Sequence, residues 1–226
     1  MNKKLFLSFI FTFIILSASA QQRLIYQSYS LGHDGDTTFV EVQRFGKQIK
    51  IQDINTFDGK MIPGISEDIT YVDYEKDSAY FQMRYADGDT YFASFPLKSN
   101  VEFTEEGEEM MNGYKCKKYR TSINSNTIEF WISETLGYDA TPTLNRGVLK
   151  GVLIRQLVNG SSLTELKNIK KDKRLKNETI PSDLGQRVST KDINRISKEK
   201  LIIKIPVFDE EQIHFAEVAS VWYWQP

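Results

Sequence analysis

The sequence has one cysteine, Cys116, and two histidines, His33 and His214, in 226 residues. A single thiol excludes a disulfide framework within one chain. Two histidines in no recognisable motif leave His-based nucleophilic catalysis without support. A glycine-rich phosphate loop and a paired-cysteine motif are both missing. So is any internal repeat of the solenoid kind. Charge of one sign is missing too, since 29 Lys and Arg stand against 30 Asp and Glu. That balance gives no electrostatic case for a nucleic-acid partner.

One long apolar run is present, Leu5 to Leu16, interrupted only by Ser8 and Thr12. Lys3 and Lys4 precede it and Ala18-Ser19-Ala20 follows, the pattern of a cleaved export signal. The run falls short of the roughly 20 residues a membrane span needs. Residues 1–20 are therefore read as a signal peptide, the mature chain as beginning at Gln21, and the location as periplasmic or secreted. No cysteine follows the run to carry a lipid. Without Lys3 and Lys4 the 29 basic residues become 27 against 30 acidic, a net of −3.

The rest of the chain is dominated by period-2 patterning. Leu24 to Leu31 and Thr37 to Phe45 read as strands. Gly46-Lys47 allows a tight reversal into Gln48–Gln52, where Ile49 and Ile51 share a face. Strands follow at Ile69–Tyr74, Ser78–Tyr85 and Thr90–Leu97, the last two joined by an Asp87-Gly88 turn. Pro96 marks a strand end or sheet edge. Thr104 to Glu109 is acidic and expected to be exposed. Turns at Asn112-Gly113, Asn124-Ser125-Asn126 and Asn159-Gly160-Ser161-Ser162 separate further strands. Many short strands with turns between them predict a mainly β fold, a curved antiparallel sheet over residues 21–176. Lys167 to Lys176 reads as a solvated basic strand end or linker. Residues 177–226 read as a helix-strand extension. Ser189 and Asp192 resemble a capping box for a short helix over Thr190 to Lys200, and Leu201–Phe208 looks like a strand.

Candidates for chemistry are few. His33 with Asp34 and Asp36 is the one local group of metal-ligand types, but its Asp and Gly content reads more simply as a turn. No metal or other cofactor is expected. Asp53, Asp58, Asp73, Glu129 and Glu134 could pair in space, though spacing does not choose among them. Asn159-Gly160-Ser161 and Asn177-Glu178-Thr179 match the glycosylation sequon and read as plain turns in a bacterium. Cys116 is either a buried apolar residue or a thiol activated by Lys115, Lys117 and Lys118. Alternation sends it to the face opposite its lysine neighbours, which favours burial. The remaining signal is aromatic. Tyr71, Phe81, Tyr91, Phe95, Phe130 and Trp131 are taken as an apolar concave face. That face is either a filled core or an open groove for a lipid, a peptide or a partner's strand.

Gly113-Tyr114-Lys115-Cys116-Lys117-Lys118, the strand holding Trp131, and Gly147-Val148-Leu149-Lys150-Gly151-Val152-Leu153-Ile154 resemble the exported Bacteroidetes family named for its Gly-Leu-Pro-Gly-Leu-Ile motif. Lys150 stands where that family has Pro. The resemblance implies a half-barrel like that of periplasmic lipoprotein carriers, and with it a non-enzymatic envelope protein of binding or carrier type. A second stretch, Ser182-Asp183-Leu184-Gly185 to Phe208-Asp209-Glu210-Glu211-Gln212-Ile213, resembles the segment preceding the catalytic part of peptide-N-glycosidase F-like amidases. It implies the alternative: an N-terminal accessory domain whose catalytic part is absent, with a glycoprotein as partner.

Overall fold

The computed structural model describes residues 21–31, 37–54, 66–85, 87–97, 101–123, 125–143, 149–172 and 180–204. Eleven strands of six residues or more are described: β1 (Gln21–Ser30), β2 (Thr37–Phe45), β3 (Gln48–Asp53), β4 (Glu67–Asp73), β5 (Ser78–Arg84), β6 (Thr90–Pro96), β7 (Thr104–Met111), which the sequence marks only as an exposed acidic stretch, β8 (Tyr114–Ile123), β9 (Asn126–Ser133), β10 (Val152–Val158) and β11 (Ser162–Lys171). A two-residue strand, β12 (Gln186–Arg187), and one helix, α1 (Thr190–Lys204), complete the described elements.

All twelve strands form one open sheet in the order β12-β6-β5-β4-β3-β2-β1-β11-β10-β9-β8-β7. Two antiparallel meanders build it. The first runs outward from β1 to β6. The second enters at the opposite edge, β7, and works inward until β11 pairs with β1, Tyr26 opposite Leu166. The turns are those the sequence announces. Asn112 and Gly113 both take positive φ, 51° and 81°. They join Met111 to its partner Tyr114, the two-residue hairpin that Asn-Gly favours. Pro96 closes β6 beyond the two residues that β12 covers, so its missing N–H interrupts no ladder there.

Register assigns the faces. Leu24, Val42, Ile51, Thr70, Phe81 and Ala93 are successive partners across β1 to β6 and share the inner face. Inner residues of both meanders join in one apolar core that includes Tyr26, Val42, Ile49, Val72, Phe130 and Ile154. The described parts of the β9–β10 connection, 134–143 and 149–151, lie against this core. Ala140 and Leu149 are buried in it, and Leu136 and Tyr138 pack against it. The Tyr138 ring reaches Arg44 of β2, with the guanidinium carbon 4.6 Å from the ring centre. Burial pushes the Tyr138 phenol up to about 12. Gly151 permits the return, because it has φ 112° and a Cβ there would stand 2.7 Å from the Ser133 carbonyl oxygen.

The segment from Ile180 wraps the free edge of β6. Leu184 packs on the outer face against Ile69 and Tyr71. β12 then pairs in parallel with β6, Gln186 opposite Tyr91. Ile193 of α1 is buried against Phe81, Met83, Tyr85 and Ala93 on the inner face. The predicted cap is present: the Ser189 hydroxyl accepts from the Asp192 backbone N–H at 3.1 Å and donates to its carboxylate at 2.6 Å. The helix does not stop at Lys200. It runs on through Lys204, where a strand from Leu201 to Phe208 was expected. The reason is cooperative: an existing helix gains a hydrogen bond for each residue added, whereas β-branched residues favour a strand only where a sheet receives them. Residues 205–208 lie outside the described residues.

Candidate functional site

The six aromatics singled out by sequence do not form one surface. Phe81, Tyr91 and Phe95 group on the inner face beneath α1. Phe130 lies in the main core, fully buried, with its ring edge-on to Phe103 at 6.0 Å. Tyr71 and Trp131 fall on the outer face. Tyr71 pairs with Tyr80 and Lys50, and Trp131 with Arg155 and Lys118. Phe130 and Trp131 are chain neighbours, so strand alternation alone separates them.

Trp131 is instead the centre of a charged lattice. Its indole N–H donates to Glu109. The Lys118 ammonium and the Arg155 guanidinium lie 5.1 Å and 5.3 Å from its ring centre. Glu129 accepts from Lys118 at 2.7 Å and from Arg120 at 2.9 Å, and both cations also meet Glu106. Lys118, then Arg120, hold the Glu129 carboxyl below its ordinary range. The acidic stretch expected to be exposed is therefore edge strand β7, with every residue from Thr104 to Met110 exposed. Charge on an open edge discourages pairing with other chains.

The other candidates resolve in the same way. Cys116 is buried at 1% exposure, and burial pushes its thiol up to about 11, opposite to activation. Asp73 is buried at 1% exposure and accepts from the Glu75 and Lys76 backbone N–H groups and from the Gln48 amide. Glu134 pairs with Lys117 at 3.2 Å. His33, Asp34, Asp36, Asp58 and His214 lie outside the described residues. Among the described residues no group of three or more His, Cys, Asp or Glu is placed to hold a metal.

The concavity that sequence reasoning missed lies on the outer face, where the 180–184 segment packs over β4 to β6. A cleft of about 840 Å³ opens there, lined by Gln48, Lys76, Tyr80, Phe92, Ser94 and Arg187 among others. Tyr80 and Phe92 are half-buried against Ile69, Tyr71 and Leu184. Arg187 donates to the Ser94 hydroxyl at 3.1 Å. The Gln82 amide donates to the Leu184 carbonyl at 2.8 Å and fastens the crossing segment to β5. A signal was available in the sequence, because Tyr80-Phe81 and Tyr91-Phe92 put aromatics on both faces of adjacent strands.

The residues lining this cleft, Gln48 excepted, fall within a family match. The description N-glycanase peptide, N-terminal domain, fits residues 66–188. The chain belongs to this family. The match lies on the sheet itself and meets the expected amidase-like stretch, Ser182 to Ile213, only at its start. Among solved structures, PNGF-II in two crystal forms superposes with TM-scores of 0.70 and 0.68 at 20% and 19% identity. Each superposition covers 84% of this chain and 35% of the other. At that identity the likeness establishes the fold alone, and the chain spans about a third of those structures. A LolA superfamily protein from Nitrosomonas europaea gives a TM-score of 0.32 at 6% identity, over 69% of this chain and 87% of its own, too distant to carry an argument. A search of curated proteins finds no match. Membership in the N-glycanase N-terminal-domain family thus fixes what kind of module the sheet is.

Proposed function

We propose that this protein is an exported, non-catalytic module of the N-glycanase N-terminal type, and that it acts by engaging glycoprotein. The observation that carries this reading is the family match over residues 66–188, which falls on the second half of the first meander, the whole of the second, and the crossing segment. The chemistry of three carboxylates singled out from the sequence is consistent with it. Asp73 closes a turn, Glu129 anchors two cations, and Glu134 binds Lys117. Amide hydrolysis needs an acid or base free to move a proton, and these groups are committed to structure. Export rests on the pattern of residues 1–20. The first strand begins at Gln21, so cleavage at the expected site leaves the sheet whole.

The test uses the chain from Gln21 to Pro226. It is expected to be retained on an immobilised, denatured N-glycoprotein, to bind less to the same protein stripped of its glycans, and to release no glycan. Glycan release would overturn the non-catalytic assignment. Equal retention on both forms would overturn glycoprotein engagement. N-terminal sequencing of the exported protein checks the leader, and an intact Met1 would refute its removal.

A further inference from the structure

The outer-face cleft has the composition of a small-molecule site rather than of a leftover gap. The outer face of β1 to β3 is mostly polar along rows such as Arg23-Gln43-Lys50 and Ile25-Glu41-Gln52. Continued onto β4, β5 and β6, the same rows carry aromatics instead. Tyr71, Tyr80 and Ser94 are successive partners across β4, β5 and β6, and Gln82, Phe92 and Arg187 across β5, β6 and β12. The 180–184 segment covers Tyr71 and Ile69 and leaves Tyr80 and Phe92 half open on the cleft floor. Around these rings stand hydrogen-bonding groups of Gln48, Ser94, Lys76 and Arg187.

Charge narrows the ligand. Among the described residues the lining contains two cations and no carboxylate. Asp183, between the lining residues Ser182 and Leu184, accepts from the Gly185 N–H at 2.8 Å. Asp73 is buried beside Gln48 and Lys76 and accepts from the Glu75 and Lys76 backbone N–H groups. Lys76 is 70% exposed, 3.9 Å from that carboxylate, so its ammonium remains open to solvent. Arg187 is exposed and donates to a neutral hydroxyl, that of Ser94. A ring with an apolar face, several hydroxyls and one negative charge meets each of these groups, the face on the aromatics and the charge on the cations.

We infer that the cleft is a saccharide site that takes the acidic sugar at the end of an oligosaccharide. The sugar ring rests on Tyr80 and Phe92, its hydroxyls bond to Gln48 and Ser94, and its carboxylate meets Lys76 and Arg187. This inference rests on the glycoprotein-engaging role proposed above and names the part of the glycan that is held.

The probes are sialyllactose and lactose, titrated into the Gln21–Pro226 chain and followed by chemical-shift changes. A hydrogen bond to a charged group exceeds a neutral one by enough to make sialyllactose bind about tenfold tighter than lactose. Lys76→Ala with Arg187→Ala is expected to erase that preference and leave weak lactose binding. Tyr80→Leu, which keeps apolar volume over Tyr71, is expected to weaken both sugars. Melting temperatures show that each variant is folded. Failure of both sugars to bind, or a preference that survives the double substitution, would overturn the site. Retention of a sialylated glycoprotein separates the two claims. If the wild type is retained and the double variant equally so, the cleft is wrong and the module reading stands. If the wild type binds free sialyllactose but is not retained, the cleft stands and glycoprotein engagement fails.

Discussion

Gly185 and Gly88 offer a matched pair of perturbations. Their φ angles are 94° and 92°, so an alanine at either carries the same backbone strain. The surroundings differ. At Gly88 a Cβ would meet nothing within 4 Å, whereas at Gly185 it would stand 2.4 Å from the Thr90 carbonyl oxygen and 2.8 Å from the Thr90 Cβ. Gly88→Ala should therefore cost only the strain of a positive φ, about 1–2 kcal/mol. Gly185→Ala adds an overlap that neither backbone can yield without parting β12 from β6. What depends on that contact is the seating of Leu184 and Ile193, each buried and each contributing about 1.5–3 kcal/mol. A total loss of about 3–5 kcal/mol is expected at Gly185, within the range of severe single substitutions. In a domain of this size each kcal/mol lowers Tm by roughly 2–4 °C. Calorimetry should thus show a drop for Gly185→Ala about two to three times that for Gly88→Ala. Hydrogen exchange should localise it, with the Val188 N–H, which donates to Phe92 at 2.9 Å, losing protection first. Equal Tm shifts for the two variants, or unchanged protection at Val188, would refute the argument that the crossing segment is locked to the sheet edge.

Three further outcomes follow from the same geometry. Cys116 should resist thiol reagents in the native protein at pH 8. Its thiol titrates at about 11 when folded and at the ordinary 9.0 when unfolded. Its contribution to stability is therefore full below pH 9 and lost as pH rises toward 11, which denaturant titrations of wild type against Cys116→Ala would reveal as a wild-type advantage that shrinks over that window. Glu129→Gln should cost about 1–2 kcal/mol by urea denaturation, because Lys118 and Arg120 lose a largely buried carboxylate. The Glu129 carboxyl is held low when folded. The wild-type advantage is accordingly present above the ordinary carboxyl range and fades as pH falls through the lowered one. Fatty acids and phospholipids should leave Tm unmoved, since Leu136, Tyr138, Ala140 and Leu149 already occupy the inner face. A Tm that climbs with lipid concentration would show that face to be open.

The sequence by itself determined the local structure. Asn112-Gly113 and Gly46-Lys47 specified hairpins because Asn112, Gly113 and Gly46 enter the left-handed region with little strain. Alternation at Ile49 and Ile51 set which side of β3 is buried, and Ser189 with Asp192 set where the helix starts. Strand content, an open antiparallel sheet and one helix near the end of the described chain were legible for that reason. Alternation also separated Phe130 from Trp131, although composition had grouped them. Only the tertiary structure decided which strands meet across long chain separations. The pairing of β1 with β11 depends on a register shift at Ile25 and Tyr26 that no local pattern announces. Filling of the inner face was equally hidden, because Leu136, Tyr138, Ala140 and Leu149 follow no period of their own and are placed by the core they cover. The cleft arises from the crossing of 180–184 over Tyr80 and Phe92, a contact spanning about a hundred residues. Such a contact is chosen by the free energy of burial over the whole molecule rather than by the preferences of any one segment.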